Sequence, residues 1–210
     1  MDSINQLPNF RPLGIALLVT VILFLVGAWS AAYFRQWPLP STPLEKLTAI
    51  ANDRVGWTAQ AIIFPLSFLG TAVIFGLITT KLPDGWPRWL ALGATLLFFT
   101  GFLLWLPISI DRLRLGAQAA ELIRTYDPAV PPAVMVNAVT FWPHTYCILA
   151  ALALMGAALA LADVLPTLGW VITGLAAAGA LLAAFVMHDW PPFMSYVILL
   201  LLAIGLIRAG

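Results

Sequence analysis

Long apolar runs parted by short polar intervals set the plan of this chain. Hydrophobic stretches cover approximately residues 13–34, 56–79, 89–110, 138–162, 168–187 and 193–206. At ~1.5 Å per helical residue most of them approach or cross a hydrocarbon core ~30 Å thick. The pattern therefore predicts an all-α integral membrane protein, a polytopic bundle of about six transmembrane helices that makes one domain over residues 1–210. The run at 193–206 is the shortest. Near the end of the first run, Ala28-Trp29-Ser30 loosely resembles a small-residue cleavage site. Arg11 is the only side-chain cation of the leader, however, and the run is closer to a full span than to a signal core, so it is read as the first span.

The polar intervals carry their own signals. Residues 37–43 are too rich in proline for a helix, whereas Leu44, Leu47 and Ile50 recur on one side of two turns, which predicts a short interfacial helix in the first loop. Asn52 or Asp53 caps the second span. Pro65 bends that span and frees a carbonyl. Asp84-Gly85 marks a reversal, and the interval 163–167 marks another. In the third loop, Leu113, Leu115, Ala119, Leu122 and Ile123 leave the charged residues on another side, so a second short interfacial helix is expected before Asp127-Pro128.

Composition narrows the class. The chain is 62% hydrophobic and 9% charged, far from the roughly 25% charge of soluble domains. A net charge of +1 without a Lys/Arg block sets nucleic acid aside as a partner. Membrane lipids, other membrane subunits and self-association remain. Cys147 is the single cysteine, which excludes an intrachain disulfide and Cys-Cys metal motifs. The tryptophans fall near the ends of apolar runs, as interfacial anchors do. Six spans would put Arg11, Lys81, Arg88 and Arg208 on the terminal side and Arg35, Lys46, Arg54, Arg112, Arg114 and Arg124 on the other, favouring cytoplasmic odd-numbered loops.

That arrangement gathers the unusual polar groups on the odd-loop side. Asn137, Thr140, His144 and Cys147 follow at helical spacing, Gln60 enters from the same side, and His188, Asp189, Ser195 and Tyr196 close the far end. His144 and His188 are the only histidines. They are the candidate cofactor-binding residues: two axial nitrogens for a haem, two ligands to a metal completed by Asp189 or Glu121, or a partner for a quinone oxygen. Neither haem nor metal is required by the sequence. Gln60, Asn137, Thr140, Asp189 and Tyr196 are the pocket candidates, and Arg112 and Arg114 are the candidate lipid-headgroup contacts. Each also has an ordinary role: His144 bonding a loop carbonyl at the interface, Asn137 and Thr140 tying the fourth helix to a neighbour, Cys147 a small hydrophobe.

Small residues repeat at four-residue spacing at Gly156/Ala160, Gly174/Ala178 and Gly179/Ala183, which lets helices approach closely. No zincin motif, nucleophile elbow, phosphate loop or haem-attachment motif occurs, so catalysis has no sequence support. The apolar midplanes speak against a small-solute transporter. The first reading is an accessory or structural subunit of a membrane assembly, packing through small-residue faces with room to bind lipid or a hydrophobic ligand; the alternatives are a haem-, metal- or quinone-binding redox protein built on His144 and His188 and a small-solute transporter.

Overall fold

The computed structural model describes residues 9–36, 38–129, 139–187 and 190–210. Among them every regular element is helical. The helices are α1 (Arg11–Ser30), α2 (Pro43–Asn52), α3 (Arg54–Lys81), α4 (Trp86–Arg124), α5 (Phe141–Leu161), α6 (Pro166–Leu182) and α7 (Pro192–Arg208), with a short 3-10 turn at Ala32–Arg35 and a π turn at Ala183–Met187 prolonging α6. Five of these, α1, α3, α4, α5 and α6 with its π turn, are long and apolar enough to cross a membrane, and α7 is a shorter apolar helix. The fold is a helical membrane bundle.

Packing runs around a ring. α1 touches α3 and α7, α3 packs on α4, α4 on α5 and α5 on α6, while α7 closes the ring against α6 and α5. The interior is filled by aliphatic and aromatic side chains such as Leu17, Phe24, Phe68, Phe75, Phe98, Leu152 and Leu202, all essentially inaccessible. Large apolar side chains also stand outward, among them Val19, Ile22, Leu96, Trp170 and Leu181. Such an exterior suits hydrocarbon, where water would penalise it.

Both loop expectations can be followed to their outcome. The first-loop helix is α2: Leu47 and Ile50 are buried as the spacing predicts, and Leu44 is exposed. Its start is a capping box, in which Glu45 N–H donates to the Thr42 hydroxyl while the Glu45 carboxylate accepts from the Thr42 N–H. The third-loop stretch is helical too, but it is the continuation of α4 and has no break before Thr125. Two causes act together. Pro107 lies inside α4 without ending it, and Leu115 and Ala119 are buried against Leu47, Ile50 and Trp57 in a small second core. The apolar stripe that suggested a helix lying on the bilayer is covered by α2 instead.

The turns follow their signals. Asp53 caps α3 by accepting from the Gly56 N–H, and it also meets Arg35 at 3.3 Å. Gly85 has φ +107, a conformation that glycine adopts freely. Asp163 takes the left-handed position with φ 56, and the Val164 and Asp163 N–H groups return to the Leu159 and Ala160 carbonyls as a Schellman cap.

Candidate functional site

Gln60 and Arg112 meet at the end of the bundle where α3 begins and α4 leaves. Gln60 is buried on the second turn of α3, and its side-chain oxygen accepts a short hydrogen bond from the Arg112 guanidinium of α4. That guanidinium lies 5.3 Å from the ring centre of Trp57, 5.9 Å from Phe64 and 5.7 Å from Trp105. Trp57 fixes the same turn of α4 by donating its indole N–H to the Arg112 carbonyl at 2.8 Å. A cation held over three aromatic faces and bonded to an amide oxygen is tolerated at this depth because each contact offsets lost hydration. Arg112 thus turns inward, whereas Arg114, two residues on, stands exposed beside Asp111.

One turn deeper lies His144, on the first turn of α5. Its Nδ1 is 2.7 Å from the Gly101 carbonyl of α4, and a carbonyl only accepts, so Nδ1 carries the hydrogen. In the neutral ring Nε2 is then the acceptor. The imidazole is buried between Phe68, with ring centres 4.8 Å apart, and Trp105 at 4.6 Å. The sequence reading puts the carbonyl partner in a loop at the interface; the one found is the Gly101 carbonyl, buried inside α4. Aromatic contact continues through Phe64 and Phe24 to Tyr196, which stacks on Phe24 at 3.8 Å. Five helices therefore share one aromatic layer.

Among the described residues, Trp105 Nε1, Ser109 Oγ and Thr140 Oγ1 are buried with no hydrogen-bond partner. Thr140 is the N-cap residue of α5 without acting as a side-chain cap. Ser195, next to Tyr196, accepts from Trp190 Nε1 at 2.9 Å. Cys147 is a partly exposed free thiol. Asn137, His188 and Asp189 lie outside the described residues, so the pairing of the two histidines has no geometry here. Among the described residues no three His, Cys, Asp or Glu side chains cluster as metal ligands.

Position near the ends of apolar runs implies interfacial tryptophans, yet Trp57, Trp105 and Trp190 are buried, the first two in the aromatic layer, while Trp86, Trp89 and Trp170 are exposed. The usable signal was present. Trp57 and Gln60 are three residues apart, Phe64 and Phe68 continue at four-residue spacing, and Trp105 lies seven residues before Arg112, so each set follows one helix face.

The small-residue pairs separate into two groups. A Cβ on Gly156 would fall 2.6 Å from the Gly169 carbonyl oxygen, and one on Gly179 would meet the Trp190 ring at 2.7 Å, so these glycines serve contacts within the chain. Gly174 has nothing within 4 Å of the equivalent position, and Gly174 and Ala178 are both exposed.

No protein-family model, curated protein or solved structure matches the chain.

Proposed function

We propose that this protein is a structural member of a membrane assembly, a rigid bundle that receives a helix of another subunit on the outer face of α6. One observation carries the reading. Of the three small-residue pairs, only Gly174/Ala178 faces outward, on the span that is least buried within the chain. Trp170, Val171, Leu175 and Leu181 stand exposed around it, a shallow groove flanked by bulky side chains of the kind into which a second helix packs by van der Waals contact. The interior supports a load-bearing role: its aromatic layer joins α1, α3, α4, α5 and α7 into one unit. Cytoplasmic odd-numbered loops and headgroup contact by Arg114 belong to the same reading.

The cofactor alternative draws less support. His144 keeps an Nε2 lone pair in a ring buried between Phe68 and Trp105, and the proposed second ligand His188 lies outside the described residues.

The test is site-directed crosslinking in native membranes. With Cys147→Ser as background, Gly174→Cys is expected to give an adduct of discrete mass with a bifunctional thiol reagent, and Val19→Cys on the exposed face of α1 is expected to give none. Equal, diffuse labelling at both positions would overturn the reading.

A further inference from the structure

The turn between α3 and α4 holds a cleft of about 470 Å³, a volume within the range of small-molecule sites. Its walls include Thr80 from the end of α3 and Asp84, Arg88, Trp89 and Leu92 from the turn and the start of α4. Both helices are long and apolar enough to cross a membrane, so the turn that joins them lies at a bilayer surface. Trp86 and Trp89 stand exposed there, as indoles at headgroup level do. Toward the membrane interior α3 and α4 meet at Gly76 and Thr95. The exposed side chains within one turn of that contact, Val73, Leu77, Leu92 and Leu96, are all apolar.

The cleft carries one charge of each sign, and both are accessible: the side chains of Asp84 and Arg88 are 88% and 42% exposed. They are bonded to each other, yet each keeps capacity for a further partner. Arg88 donates through Nε and Nη2 to the Leu82 carbonyl, at 3.1 and 2.6 Å, and through Nη1 to Asp84 Oδ1. A guanidinium has more N–H donors than these bonds use, so Nη1 and Nη2 each keep a hydrogen. Among the described residues Asp84 Oδ2 has no bonding partner. Lys81, the other cation near the turn, donates to the Asn9 carbonyl and does not line the cleft. Donors for an anion and an acceptor for a cation thus stand side by side in one wall.

We propose that this cleft binds a zwitterionic phospholipid with a primary ammonium headgroup, its phosphate on Arg88, its ammonium on Asp84 and its acyl chains over Leu77, Leu92 and Leu96. Charge selects this class. The pair is neutral in sum, so an anionic headgroup without a cation would meet Arg88 and leave its own charge beside the Asp84 carboxylate. Hydrogen bonding narrows the choice. A trimethylated ammonium has no N–H to give to Oδ2, whereas a primary ammonium donates as a lysine does, in a charge-assisted bond.

The experiment uses the full chain in phosphatidylcholine nanodiscs doped with photoactivatable phospholipids that share one diazirine-bearing acyl chain and differ in headgroup, which is ethanolamine, choline or glycerol. The ethanolamine probe is expected to label α3 and α4 around the cleft about five-fold more than either of the others, as one net hydrogen bond implies. Asp84→Ala, at an exposed position, should bring ethanolamine labelling down to the choline level. Asp84→Lys should reverse the preference in favour of the glycerol probe. Arg88 is left in place because it also holds the Leu82 carbonyl. Equal labelling by the three probes, a preference unaffected by Asp84→Ala, or adducts spread equally over the exposed faces of α1 and α6 would each overturn the proposal.

Discussion

Gly156 and Gly169 meet backbone to backbone. A Cβ on either one would lie 2.6 Å or 2.5 Å from the carbonyl oxygen of the other, and Ala160 lies against Gly169 in the same crossing. Two α-helices approach this closely only where side chains are absent. Gly156→Leu is therefore expected to disrupt the fold of the bundle, seen as loss of a monodisperse peak in mild detergent. Ala178→Leu should leave that peak unchanged and, in the Gly174→Cys background, remove the proposed partner crosslink. If both variants purify as the wild type does, the α5–α6 crossing is looser than its glycines indicate.

His144 makes a second test of interior packing. Replacement by Ala removes a buried ring wedged between Phe68 and Trp105 and opens a cavity, at a cost of about 3 kcal/mol. His144→Phe keeps most of the volume and loses one hydrogen bond, so it should cost about 1 kcal/mol. Reversible unfolding in mixed micelles would rank the two. A Phe variant as damaging as Ala would assign the imidazole a role beyond filling space and bonding Gly101.

Arg112→Lys keeps the charge and discards the planar face that lies over Trp57, Phe64 and Trp105. A loss of about 1 kcal/mol is expected, with a change in tryptophan emission as the rings adjust. Arg114→Lys, at an exposed position, should change neither quantity.

Glu45 gives the docking of α2 a dependence on pH. Hydrogen bonds from the Thr42 backbone, then from the Ser41 backbone and hydroxyl, hold its carboxyl below the ordinary value of 4.5. Because the folded value is the lower one, the contribution is present above about pH 4.5 and is lost as pH falls through the folded pKa. The protection of α2 amides, relative to their intrinsic exchange rates at each pH, should fall over that acid range in the wild type. Glu45→Gln should flatten the dependence, and an unchanged profile would show that the capping box contributes nothing.

The hydrophobic pattern made the spans, the α2 stripe and the Asp53, Gly85 and Asp163 turns legible, because each rests on local spacing or on one residue's backbone preference. The capping box at Thr42 and Glu45 was equally local, a Thr followed three residues later by Glu, and was overlooked. What lay beyond local reading depends on pairs distant in the chain. Whether Leu115 and Ala119 face lipid or another helix is decided by α2, some seventy residues earlier, and periodicity registers only that the stripe must be covered. Arg112 shows the same limit. Its position near a span end suits a headgroup contact, and only the arrival of Gln60 and three rings from the fold turns it inward. The histidine pair rests on residue type alone, and of that pair the fold gives a setting to His144.

α4 spans 39 residues without interruption, about 58 Å of helix, nearly twice the thickness of the hydrocarbon it crosses. Its outer third is clamped to α2, and Pro107 is the only proline in its interior. A helix of this length outruns the hydrocarbon, so its last turns stand beyond the bilayer as a post to which α2 is fastened.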